Sequence, residues 1–189
     1  MENESVHVTP AELAKELSDS DLRRLCPGCP IVEYSKLKET PLEGLIGPGG
    51  GGLILFVEQA KGNSITGHWL AAVHTGNETI EFFDPYGARK GGDPWFLDHT
   101  FVPSSSLRAL SESTPVVSAW AQQNGMKPTY NPTRFQVMKQ GINTCGRHCA
   151  VRLQNAHFDN DAYTRYIHHY CDTNDCNPDE LVTAWTSTR

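Results

Sequence analysis

The chain has 189 residues, 16 Lys and Arg against 22 Asp and Glu, and a formal net charge of −6. That length suits a single domain (residues 1–189) able to bury about 70% of its unfolded surface, so folding requires neither disulfide nor metal. The acidic balance and scattered basic residues argue against a surface built for nucleic acid, and no apolar run approaches the roughly 20 residues of a membrane span.

The opening MENESVHVTP is polar and lacks a hydrophobic signal core, so an intracellular protein is expected. Thr9, Pro10 and Glu12 form a capping box with Pro at the first helical position, which predicts a helix running to about Leu17. A second short helix is expected over Asp19 to Leu25, ended by Cys26-Pro27-Gly28-Cys29-Pro30. Ile31 to Leu37 reads as a short extended or helical segment. The glycine run from Gly47 to Gly52 reads as a flexible loop; it lacks the Lys-Ser/Thr ending of a phosphate-binding loop.

From Leu53 strands and turns alternate. Strands are expected at Leu53 to Gln59, His68 to His74 and Glu78 to Asp84, with turns at Lys61-Gly62-Asn63 and Thr75-Gly76-Asn77. This is the pattern of an antiparallel meander. A helix is expected around Ser104 to Ser111, then strands at Val116 to Ala121 and Thr133 to Met138. Cys145 to Gln154 should be a helix with Cys149, Ala150 and Leu153 on its apolar stripe and Arg147 and Arg152 outside it. Further helices are expected at Asp159 to Cys171 and from Asn177, where Pro178 and Glu180 complete a cap. The fold class is α+β.

Six cysteines are present: Cys26, Cys29, Cys145, Cys149, Cys171 and Cys176. Without a signal peptide they read as thiols rather than disulfides. The spacing of Cys171 and Cys176 is loose for a zinc site, and Cys26 and Cys29 sit in a turn rather than between the strand and helix of a redox motif. No metal and no cofactor is expected.

Three segments carry chemistry. His68 opens an apolar strand, Asp84 ends the next one just before Pro85-Tyr86-Gly87, and Cys145 closes the loop from Gln140 to Thr144 at the start of a helix. A free thiol, with a pKa of about 8.5, is mostly protonated at neutral pH. A helix N-terminus and an imidazolium favour its thiolate. The imidazole must reach the thiol, and a carboxylate must hold its other nitrogen. The oxyanion needs donors, which the Cys145 N–H and the Gln140 amide can supply. Each piece alone is commonplace; their order and placement together are not.

The segments Gly67-His68-Trp69-Leu70-Ala71, Phe82-Phe83-Asp84-Pro85-Tyr86-Gly87 and Gln140 through Cys149 resemble the adenain family, typified by the adenovirus maturation protease. They also resemble its wider clan of SUMO and ubiquitin-like-protein proteases. That clan places His, then an acid or amide, then Gln, then Cys along the chain, here His68, Asp84, Gln140 and Cys145. Papain and the cell-wall amidases place Cys before His. In one departure from the clan's habit, Gln140 stands closer to the cysteine than usual, and Gln136 falls in the expected preceding strand.

The resemblance covers roughly residues 9–155, leaving C-terminal helices over 156–189. It implies a papain-like cysteine protease fold of the adenain/SUMO-protease type, with a central mixed sheet flanked by helices. It also implies Trp69, Asn143 and Gly146 along a narrow substrate groove that favours Gly-Gly before the scissile bond. The expected function is a thiol endopeptidase maturing a viral polyprotein or capsid. Partners would be a polypeptide substrate and an activating peptide, with no nucleic acid and no membrane. The expected protein is a monomer in host cytoplasm, nucleus or virion. Alternatives are a deconjugase of ubiquitin-like modifiers, an acyltransferase using acetyl-coenzyme A, and a binding module on an unused protease scaffold.

Overall fold

The computed structural model describes residues 6–59, 65–76, 78–87 and 116–187. The chain begins with two capped helices, α1 (Pro10–Ala14) and α2 (Asp19–Leu25). Each has a capping box, Thr9 with Glu12 and Ser18 with Asp21, so the first N–H groups of both helices find partners. The first helix stops at Ala14, not at Leu17. The Leu13 carbonyl accepts from the Asn143 N–H (2.8 Å), the Ala14 carbonyl from Asn143 Nδ2 (2.8 Å), and the Leu17 carbonyl from Trp69 Nε1 (3.2 Å). Carbonyls that would have continued the helix are bound by the site instead.

Next come β1 (Ile31–Glu33), a 3₁₀ turn over Tyr34–Glu39, and a short helix α3 (Leu42–Leu45), then β2 (Gly51–Gln59), β3 (Ile65–Gly76) and β4 (Thr79–Phe83). The antiparallel β2–β3–β4 meander is the one expected from the sequence. Parallel edge strands β1 and β5 (Lys127–Tyr130) extend it to a five-stranded mixed sheet in the order β1-β2-β3-β4-β5. The last strand went unseen because Pro128 lies within it, and proline is tolerated only at such an edge.

The glycine run is structural, not loose. Gly51 and Gly52 belong to β2, where a Cβ on Gly52 would sit 1.8 Å from the Leu45 carbonyl oxygen and one on Gly51 2.3 Å from Leu153 Cδ2. Glycine lets the sheet approach its neighbours on both sides.

Two further expectations are corrected. Val116 to Ala121 lies in a helix, α4 (Val116–Gln123): its β-branched start suggested a strand, but buried Val117, Trp120 and Ala121 have helical spacing. Thr133 to Met138 is irregular, because Phe135 N–H and Gln136 N–H both donate to the Pro85 carbonyl (2.9 Å each) and Val137 N–H to the Asp179 carboxylate (3.0 Å). No ladder bonds remain for a strand. The expected helix at Ser104 to Ser111 lies outside the described residues.

The remaining helices are α5 (Cys145–Gln154), α6 (Asn160–Asn174) and α7 (Pro178–Ser187). The cap at α7 is as expected, with Glu180 N–H on Asn177 Oδ1 at 3.0 Å. Side chains alternate across the sheet into two cores. Leu53, Trp69, Ala71, Val73 and Phe83 face α5, α6 and α7. Ile54, Leu70, Ala72, Ile80 and Phe82 face α4 and the 3₁₀ turn. The architecture is α+β, a mixed sheet with helices on both faces, and α5 starts at its centre.

Candidate active site

Antiparallel pairing of β3 with β4 (Ala71 opposite Phe83) carries His68 and Asp84 to the same end of adjacent strands. His68 Nε2 lies 2.9 Å from Asp84 Oδ1, and both side chains are buried. Asp84 is itself held: its Oδ1 accepts from Tyr86 N–H (2.9 Å), its N–H donates to Asn131 Oδ1 (2.8 Å), and Asn131 Nδ2 returns a bond to its carbonyl (2.7 Å). The Tyr86 ring stacks on His68 with centroids 4.9 Å apart. Tyr86 and Asn131 fix the orientation of the couple, as partners of a catalytic histidine must.

Cys145, half-buried, begins α5 and lines the same cavity as His68. With Nε2 taken by Asp84, Nδ1 is the nitrogen left to exchange a proton with the thiol. Burial opposes charge on the ring, but the Asp84 carboxylate and the Cys145 sulfur outweigh it and push the His68 pKa up to about 10. The imidazole is therefore built to carry a proton at neutral pH beside a sulfur at a helix N-terminus. A thiol beside a carboxylate-held imidazole is the arrangement that nucleophilic cysteine chemistry requires.

A cavity of about 210 Å³ opens over these groups, lined by His68, Trp69, Tyr86, Gln136, Asn143 and Cys145, with Leu55, Gly67 and the Glu16–Asp19 segment completing its walls. Gln140 is not there: it is exposed in the turn before Gly141 (φ +83°). Gln136 takes its place, buried on the cavity wall with Nε2 on the Ile142 carbonyl at 3.2 Å. A carboxamide nitrogen carries two N–H donors, so one remains for an oxyanion. Closer sequence spacing favours Gln140, but the irregular 133–144 segment places the more distant glutamine on the wall of the cavity that Cys145 also lines.

Trp69 and Asn143 line the cavity as expected, and both also tie the N-terminal segment to it. Gly146 does not line it. A Cβ there would stand 3.2 Å from Trp69 Cδ1 and 3.3 Å from Leu17 Cβ, so this glycine lets the start of α5 close against Trp69.

The helix is anchored on all sides. Arg147 and Arg152, expected outside its apolar stripe, are both buried. Arg152 makes a two-pronged bond to Glu81 (Nε–Oε1 3.1 Å, Nη2–Oε2 2.6 Å), joining α5 to the strand that leads to Asp84. A second histidine–aspartate couple has its histidine on the same helix as Cys145, His148 Nε2 with Asp179 Oδ1 at 3.0 Å, both buried. Burial alone would raise the Asp179 carboxyl, but bonds from His148, Thr144 and the Val137 N–H hold it below the usual carboxylate range. His148 and Asp179 stand 31 residues apart, so no local pattern in the sequence marks the contact.

Of the other cysteines, Cys149 donates to the Trp69 carbonyl (3.3 Å) and Cys26 to the Ala150 carbonyl (3.7 Å). Cys29, beside Cys26, is lowered to about 7, whereas burial raises both Cys171 and Cys176. Among the described residues, no three His, Cys, Asp or Glu are arranged to hold a metal ion, and no helix is long and apolar enough to cross a membrane.

Comparison with known proteins places the chain in a family. It belongs with the uncharacterized protein V9 of the Sputnik virophage, to which it is 31% identical over 159 residues, 82% of this chain and 85% of that protein. No family model matches the chain, and no solved structure matches it.

Proposed function

We propose that this protein is a cysteine endopeptidase of the adenain and SUMO-protease type, acting on a viral polyprotein or capsid component. The observation that carries the reading is the meeting of His68 and Cys145 on one cavity, with buried Asp84 bonded to His68 at 2.9 Å. Kinship with a virophage protein favours a viral substrate over a cellular modifier.

In this reading the Cys145 thiolate attacks the scissile carbonyl, and the oxyanion is met by the Cys145 N–H and Gln136 Nε2. The His68 imidazolium protonates the leaving amine and then, as base, activates the water that hydrolyses the thioester. Asp84 keeps the ring charged and oriented. Leu17, Gly67 and Trp69 line the cavity, and a substrate of small residues such as Gly-Gly is the one this reading expects there.

The test is cleavage of fluorogenic peptides that differ only before the scissile bond. Turnover should follow Gly-Gly, fall for bulky residues and vanish in Cys145→Ala. Wild type and Cys145→Ala that are equally inert on peptides and on modifiers bearing a C-terminal electrophile would overturn the enzyme reading. Reaction with the modifier alone would shift the substrate to a deconjugase's.

A further inference from the structure

The Asp179 carboxylate gathers three donors from the segment that shapes the site. Its Oδ1 accepts from the Thr144 hydroxyl and from His148 Nε2 (3.0 Å), and its Oδ2 from the Val137 N–H (3.0 Å). Val137 adjoins Gln136, and Thr144 adjoins Cys145. One side chain, 2% exposed, thus grips both ends of the 136–145 segment and the first turn of the nucleophile's helix.

Thr144 lies within that grip. It is the N-cap of α5, where a threonine hydroxyl ordinarily bonds an N–H of the first turn. Here it makes no such cap bond: its backbone (φ −98°, ψ 4°) lies outside the extended conformation of a capping residue, and its hydroxyl is turned to Asp179. The first-turn N–H groups of α5 are left without that side-chain acceptor, and the positive end of the helix stays available to a developing anion.

We propose that Asp179, on the C-terminal helix, is a positioning residue for the oxyanion site: through Val137 it holds Gln136 against the cavity, and through Thr144 it fixes the residue that precedes the nucleophile. The proposal rests on the protease reading and deepens it. It makes α7 part of the working site, although the family resemblance ends before that helix.

The experiment measures kcat and KM on a Gly-Gly substrate for wild type, Asp179→Ala and Asp179→Asn. In parallel it measures the rate at which iodoacetamide alkylates Cys145, which needs the thiolate but no oxyanion site. Asp179→Ala should lower kcat about tenfold to a hundredfold, the range for loss of a partner that orients a reacting group. KM and the alkylation rate should stay within about threefold of wild type. Asp179→Asn keeps an acceptor for Val137 but turns an NH₂ towards Thr144 and His148, so its kcat should fall between the two.

Folded Asp179→Ala with wild-type kcat overturns the proposal, as does a loss that appears equally in alkylation. If Asp179→Ala does not fold, Asp179→Asn decides, and an unchanged kcat there overturns it. A wild type inert on every substrate overturns the protease reading and this inference together. An active wild type with an unaffected variant overturns the inference alone.

Discussion

Two histidine–aspartate couples flank the start of α5, with nearly equal separations of 2.9 Å for His68–Asp84 and 3.0 Å for His148–Asp179. Through His68 the first borders the cavity that Cys145 also lines. The second is sealed in the core, where it binds backbone and hydroxyl groups of the loop before Cys145. Pair chemistry is the same; surroundings divide the roles. In the proposed reading, a couple whose histidine borders a cavity beside a thiol moves protons, and one enclosed by packed side chains holds its neighbours in place.

The largest expected effects fall on the first couple and its sulfur. Cys145→Ala should abolish turnover, and His68→Ala should lower kcat/KM about 10²–10⁴-fold, the weight of a positioned general acid–base. Gln136→Ala should cost about 10²–10³-fold in kcat, as loss of an oxyanion donor does, whereas Gln140→Ala should leave steady-state rates at wild type. Equal effects at the two glutamines would show that the placement of Gln136 does not decide its role.

Next comes the frame that joins the two regions. Arg152→Ala should destabilise the fold by about 3–5 kcal/mol in urea melts, because it leaves buried Glu81 without its partner. Replacing both residues with apolar ones should recover much of that loss.

Smaller and more discriminating are the pH responses, which should run in opposite directions. His68 is raised to about 10, so its contribution to stability is complete below the unfolded value of about 6.5 and is lost as pH climbs through about 10. The alkaline limb of kcat should follow the loss of the imidazolium. Asp84→Asn, which removes the carboxylate that raises it, should pull that limb down by about 1–3 pH units. Asp179 is lowered, so its contribution is present above the unfolded carboxyl value of about 3.9 and is lost as pH falls through its lower folded value. Melting temperatures of wild type and Asp179→Asn should differ most near neutrality and converge in acid.

The first region was legible in the sequence and the second was not. His68, Asp84 and Cys145 each sit at the end of a strongly patterned segment, so local periodicity placed them on a strand, after a strand and at a helix start. The meander and the α5 bounds followed from the same patterns. The 133–144 segment alternates like a strand at Phe135 and Val137, yet its N–H groups go to the Pro85 carbonyl and to Asp179, partners far away in sequence. That long-range bonding hid the role of Gln136, the His148–Asp179 couple and the burial of Arg147 and Arg152. Val116 to Ala121 failed for a nearer reason: β-branched propensity was given more weight than the spacing of Val117, Trp120 and Ala121.

The most direct test of the central claim is intact-mass analysis after reaction with a Gly-Gly vinyl sulfone, comparing wild type, Cys145→Ala, His68→Ala and His148→Ala. Wild type should gain one adduct, on Cys145, and Cys145→Ala none. Labelling of His68→Ala should slow by about 10²-fold or more, and that of folded His148→Ala should stay within about tenfold of wild type. Labelling that survives His68→Ala at the wild-type rate, or that depends on His148 instead, would contradict the assignment of the two couples.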